Sequence, residues 1–227
     1  MILIVLGGLF ELDRTAVIQS LVSEPIVVAP IAGWIVGEPV LGLKLGVLLQ
    51  LFFLGNVSIG GSTPPDGALA ALVAAGSAGL SGADHRVSIE ALSAGSAFIL
   101  MIPASRLGRL VENALKEQNV ALAHDADGRV MKEGAKAIEK IVHRRIFSLF
   151  LIWAGVSGLA VGGGAVLLNL VFRFIPEGVS AALESAGRLL PLIAAGVALS
   201  AIRLRRANWW FAAACLVLLV VSAALGR

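Results

Sequence analysis

Long uncharged runs alternate with short polar joints along this chain. Residues 146–172 hold no charged side chain and exceed the roughly 20 apolar residues a helix needs to cross about 30 Å of hydrocarbon. Residues 208–226 form a second such run, opening with Trp209 and Trp210, whose indole rings suit the water boundary. Residues 189–202 are short for a full span, so the pattern predicts a tilted element, one extended by residues 179–186, or a partly re-entrant one. Residues 1–10 are apolar, but no basic stretch precedes them, and Glu11, Asp13 and Arg14 follow instead of a small-residue cleavage site. A retained, short first membrane element is expected there.

The uncharged run 45–65 ends in Asn56, Ser58, Gly60, Gly61, Ser62, Thr63, Pro64 and Pro65, and Asp66 and Gly67 follow before the apolar run 68–79. Paired prolines and glycines cannot continue a lipid-facing helix. Irregular backbone at membrane depth survives only where protein or a water-filled cavity surrounds it, and such interruptions are where transporters place substrate. A plainer reading stays open: Thr63-x-x-Asp66 is a capping box with Pro64 at the first helical position, starting a helix in an ordinary loop.

Composition and charge sharpen this pattern. With 58% hydrophobic residues and a mean hydropathy of +0.91, the chain has too little polar surface for a soluble sphere. Its 227 residues leave room for about seven or eight membrane elements and one polar insert. Nine of the 18 basic residues, Arg106, Arg109, Lys116, Arg129, Lys132, Lys136, Lys140, Arg144 and Arg145, fall in one segment, which the positive-inside rule places in the cytoplasm. Within it Leu107, Leu110, Val111, Ala114 and Leu115, then Met131, Ala135, Ile138 and Val142, recur at helical spacing. The expected fold is all-α: a polytopic transmembrane helical protein with a broken or re-entrant segment near residues 56–67 and a cytoplasmic amphipathic connector. Residues 1–105 and 146–227 form its membrane regions and 106–145 the connector, two helices joined at residues 124–128. That connector is either a docking surface for a cytosolic partner or a link lying on the headgroups.

Residues 33–75 resemble the IIC membrane component of the mannose/fructose/sorbose family of bacterial sugar phosphotransferase systems. The likeness lies in Gly37-Glu38, Gly42, Gly46, Gln50-Leu51-Phe52-Phe53-Leu54-Gly55, Val57-Ser58-Ile59-Gly60 and Pro65-Asp66-Gly67-Ala68-Leu69-Ala70. Ile175-Pro176-Glu177 with residues 181–203 is a second similar stretch, and residues 143–151 a weaker one. This sequence has Gln50 where the family commonly has an acidic residue. It also has a short start and stops at Arg227, where relatives run on through a further membrane segment. The resemblance implies a multi-pass permease subunit of the bacterial inner membrane, in hetero-complexes with a IID membrane subunit that further oligomerise. Together they would bind a hexose and present it to cytosolic IIB/IIA phosphocarrier components, which carry the phosphoryl-transfer chemistry.

A neutral sugar needs carboxylate, amide and hydroxyl groups in a partly dry pocket. Asp66, Gln50, Asn56, Ser58, Ser62 and Thr63 supply that set and are the expected substrate-binding residues. Glu38 and Lys44 are expected at a boundary, with Glu90, Glu184 and Arg188 as candidates for deeper charges. His85, His124 and His143 are scattered, Cys215 has no second thiol, and no catalytic or metal motif occurs. No catalytic residue, metal or cofactor is therefore assigned, and Gly162-Gly163-Gly164 is read as helix packing. The pI near 9.5 needs no nucleic acid, since the basic residues flank membrane segments. Two other readings stand beside a transporting subunit: a degenerate subunit that senses or scaffolds, and a permease for another small solute.

Overall fold

The computed structural model describes residues 1–17, 19–56, 62–81, 87–133, 135–201, 209, 212 and 216. Those residues form helices α1 (Ile2–Thr15), α2 (Pro25–Ile35), α3 (Pro39–Phe53), α4 (Gly67–Leu80), α5 (Ile89–Glu133), α6 (Ala135–Phe174) and α7 (Glu177–Ala201), with no strand among them. Three stretches, Ile89–Ala123, Ile138–Phe174 and Glu177–Ala201, are long and apolar enough to cross a membrane. Together with the shorter apolar helices they make an all-α, polytopic membrane fold.

The short helices are built as an inner set. Pro25 and Pro39 open α2 and α3 at positions where a missing N–H costs nothing. Helix α2 ends in a Schellman motif: Gly37 takes φ +87°, its N–H donates to Trp34 O at 3.2 Å, and Glu38 N–H donates to Gly33 O at 2.8 Å. The turn folds α3 back along α2, and Gly33 faces Gly42 so closely that a Cβ on either would collide with the other's backbone. At 11 and 15 residues these helices are about 16 and 22 Å long, too short to cross the hydrocarbon alone.

Helix α4 lies at the centre. Every residue from 68 to 78 is buried, and α1, α2, α3, α5 and α6 all pack against it. A helix apolar all round is stable only when enclosed in this way. Ser77 Oγ donates to Val161 O of α6 at 2.9 Å, and Asn169 Nδ2 donates to Ser81 O at 2.7 Å just past the helix end. Gly164 packs onto Ser77, so the triple glycine serves close packing at that position, whereas Gly162 and Gly163 face open space.

The interrupted segment falls where the prolines and glycines place it: α3 stops at Phe53, α4 begins at Gly67, and the described residues between are not helical. The run 189–202 is lengthened by residues 179–186 within the single helix α7. The join expected at residues 124–128 is instead continuous helix, because α5 runs through them to Glu133. His124, Asp125, Ala126 and Asp127 do not stop a helix, and one glycine costs only about 1 kcal/mol. Where α5 and α6 leave the bundle, Arg145 ties them, donating to Asn119 Oδ1 at 2.7 Å, Gln118 Oε1 at 3.3 Å and Leu115 O at 3.2 Å. His85, the cluster Arg203, Arg205 and Arg206, and nearly all of the run 208–226, Cys215 included, lie outside the described residues.

Candidate functional site

Asp66 is the N-cap of α4. Its Oδ1 accepts from Leu69 N–H at 3.0 Å, satisfying one of the donors a helix start leaves orphaned. The cap thus sits three residues later than the capping box beginning at Thr63 would place it. Its backbone N–H donates to Ser105 O of α5 at 3.1 Å, and α5 comes so close that a Cβ on Gly108 would strike the Asp66 side chain.

The second carboxylate oxygen of Asp66 accepts from Arg14 Nη2 at 3.0 Å. Arg14 sits in the last turn of α1, where a cation also suits the helix dipole. Its Nε donates to Glu11 Oε2 at 3.0 Å, and Nη2 approaches Glu112 Oε2 of α5 at 2.8 Å. Lys116, one turn after Glu112, reaches Glu112 Oε1 at 2.8 Å and donates to Thr63 Oγ1 at 2.9 Å. Glu11 and Asp66 are fully enclosed, at 1% and 0% exposed. One planar guanidinium therefore joins α1, the start of α4 and the middle of α5, a geometry that suits the fork of arginine better than the point charge of lysine.

Against this cluster opens a cleft of about 260 Å³, lined by Asn56 and Phe53 at the end of α3, Pro64, Pro65 and Gly67 of the interrupted segment, Ser23, Glu24 and Pro25 before α2, and Arg14 and Glu112. Its size lies near the lower end of ligand pockets, which run roughly from 300 to 1,000 Å³. Such a space suits a small polar molecule.

The expected binding residues take distinct places around it. Asn56 lines the cleft. Gln50 stands behind the wall, donating through Nε2 to Glu24 Oε2 at 2.9 Å and accepting at Oε1 from Ile26 N–H at 3.2 Å. Asp66 is fully buried while its chain neighbours Pro65 and Gly67 line the cleft, and Thr63 is held by Lys116. Ser62 lies exposed at the edge of the segment, and Ser58 lies outside the described residues. Glu90 pairs with Lys44 at 3.3 Å and Glu184 with Arg188 at 2.6 Å, supplying the partners those charges need. Among the described residues no group of His, Cys, Asp and Glu has the arrangement of a metal site.

Sequence reasoning missed Glu11, Arg14, Glu24 and Glu112. Glu11 and Arg14 close an apolar run and served only to argue against a cleavage site. Glu112 read as one more charge of the polar segment, although its spacing to Lys116 marks a common helix face. Glu24 gave only a weak signal, an acidic residue directly before Pro25 and an uncharged run.

A mannose-specific EIIC component from Escherichia coli (strain K12) is 28% identical to this chain over 186 residues, 79% of this chain and 65% of that protein. A sorbose-specific EIIC component from Klebsiella pneumoniae is 28% identical over 179 residues, 75% of this chain and 61% of that protein. The chain thus spans a little under two thirds of the length of these relatives. A solved structure described as "Structure of membrane protein" aligns with a TM-score of 0.66 at 22% identity, covering 98% of this chain and 83% of that one, so the fold is shared. Residues 1–225 match the family described as the sorbose-specific IIC component of the phosphotransferase system, and the chain belongs to that family.

Proposed function

We propose that this protein is the IIC permease subunit of a mannose-type, phosphoenolpyruvate-dependent phosphotransferase system, binding a hexose-like sugar in the cleft beside the interrupted segment. The observation that carries this reading is the placement of that cleft. It is a sugar-sized polar space between the ends of short helices α2, α3 and α4, inside a fold whose family members include mannose- and sorbose-specific components. In this reading Asn56 faces the sugar, while Asp66, Gln50 and Thr63 hold the walls through Arg14, Glu24 and Lys116. Ser62 belongs to the rim.

The sugar would be translocated together with a IID membrane subunit and phosphorylated by separate cytosolic IIB/IIA components. The chain would lie in the bacterial cytoplasmic membrane as part of an oligomer of such hetero-complexes, with residues 106–145 on the cytoplasmic side. The sensing or scaffolding reading drew on the short C-terminal stretch together with the neutral Gln50. Its bond to Glu24 keeps a carboxylate at the cleft, which favours a working site.

The test is sugar uptake in a bacterial strain lacking its own mannose-type systems, expressing this chain with the components encoded beside it. Labelled mannose or sorbose should accumulate as the sugar phosphate, dependent on phosphoenolpyruvate. Accumulation of unmodified sugar would point to a permease of another kind, and no uptake of any hexose would favour the scaffolding reading.

A further inference from the structure

We propose that Glu24 is the carboxylate that accepts hydrogen bonds from the sugar, that Gln50 is its positioning residue, and that the pair sets which hexose the cleft takes. This inference rests on the reading of the cleft as a sugar site.

The two ends of the Gln50 amide do different work. Its Oε1 accepts from Ile26 N–H at 3.2 Å, one of the N–H groups that the start of α2 leaves without an intrahelical partner. Its Nε2 donates to Glu24 Oε2 at 2.9 Å. Only a group carrying an acceptor and a donor side by side satisfies both partners. A carboxylate at position 50 would still cap Ile26 but would face Glu24 with like charge. An ammonium would pair with Glu24 and leave Ile26 unmet. The neutral residue at 50 and the acid at 24 are therefore a matched pair.

Glu24 is the N-cap residue of α2, yet its side chain makes no cap hydrogen bond. The carboxylate is thus not consumed by its own helix. It lines the cleft, is half-buried, and among the described residues forms no ion pair, whereas Glu112, the other carboxylate of the wall, is balanced by Arg14 and Lys116. One Glu24 oxygen is fixed by Gln50, so the group is oriented while acceptor positions remain for hydroxyl donors. A charged acceptor is roughly twice as strong as a neutral one, and its fixed direction discriminates among hexoses that differ in hydroxyl geometry.

The experiment compares the full chain, co-expressed with its neighbouring components in membrane vesicles, as wild type, Glu24→Gln, Gln50→Glu and the double exchange Glu24→Gln/Gln50→Glu. Binding of labelled mannose and sorbose and thermal stability are read for each. Glu24→Gln keeps an acceptor for Gln50, so stability should hold while affinity for the preferred sugar falls about tenfold or more, as expected for losing a charge-assisted bond. Gln50→Glu should lose both stability and affinity. The double exchange moves the carboxylate onto α3, so stability should return with an altered mannose-to-sorbose ratio. Unchanged affinities in Glu24→Gln overturn the role of Glu24, and a Gln50→Glu defect that persists in the double exchange overturns the pairing. A wild type that binds neither sugar removes the sugar reading of the cleft itself, and this inference with it.

Discussion

Arg14, in the last turn of α1, donates to the fully buried carboxylate of Asp66 at 3.0 Å across 52 residues of sequence. Because Asp66 also caps α4, the contact fixes the start of the central helix to the first helix of the chain. Glu11 and Glu112 share the same guanidinium; its removal would leave the buried Glu11 and Asp66 without their cation, while Glu112 keeps Lys116. Arg14→Ala should therefore lower stability by about 3–5 kcal/mol, the usual cost of breaking a buried charge pair. Arg14→Lys should recover part of this, since a lysine keeps the charge but not the fork. Thermal unfolding in mild detergent measures both, and a lysine variant as stable as wild type would show that the fork is not needed.

Asp66→Asn separates the two duties of that residue. The amide oxygen can still accept from Leu69 N–H, but the charge opposite Arg14 is gone, so stability should fall by about 1–3 kcal/mol. Since Asp66 is fully buried while Pro65, Gly67 and Glu24 line the cleft, sugar affinity of the protein that remains folded should shift less than that of Glu24→Gln. Isothermal binding at low temperature checks this, and a larger loss for Asp66→Asn would put Asp66 in direct contact with sugar.

Two glycine substitutions on long helices should behave oppositely. Gly108→Ala drives a methyl group into Asp66 and should cost about 1–3 kcal/mol as overpacking. Gly162→Ala meets nothing within 4 Å and should be neutral or stabilising by about 0.5–1 kcal/mol, as alanine is the better helix former. Equal melting temperatures for the two would contradict the close approach of α5 to the start of α4.

The long helices and the interruption between α3 and α4 were legible because each is written locally. A run without charges marks a span, and Pro64-Pro65 marks a helix start, although the cap is Asp66 rather than Thr63. The full length of α7 was one of three open readings, since Pro191 in its middle masks the continuity of residues 177–201. The site was less legible because its bonds join distant positions: Arg14 to Asp66, Gln50 to Glu24, Lys116 to Thr63. A charge that ends an apolar run looks the same whether it meets headgroups or a partner 52 residues away. Gln50 was singled out for its neutrality, but the meaning of that neutrality depends on Glu24, which no local pattern links to it.

The cytoplasmic placement of residues 106–145 is tested by a single cysteine at position 124 in a Cys215→Ser background. An impermeant thiol reagent should modify it in inside-out vesicles and leave it untouched in intact cells. Labelling from outside intact cells would reverse the orientation.

The central claim is that sugar occupies the cleft bounded by α2, α3 and the start of α4. Asn56 lines that cleft, so Asn56→Cys in the Cys215→Ser background places a reactive group on its wall. The most direct measurement is the rate at which a small thiol reagent modifies this cysteine, with and without saturating mannose or sorbose. A bound sugar should slow the reaction severalfold, and the same sugar should leave the rate at the cysteine at position 124 unchanged. If the protein transports a sugar that gives Asn56→Cys no protection, the sugar binds elsewhere and the cleft is not its site.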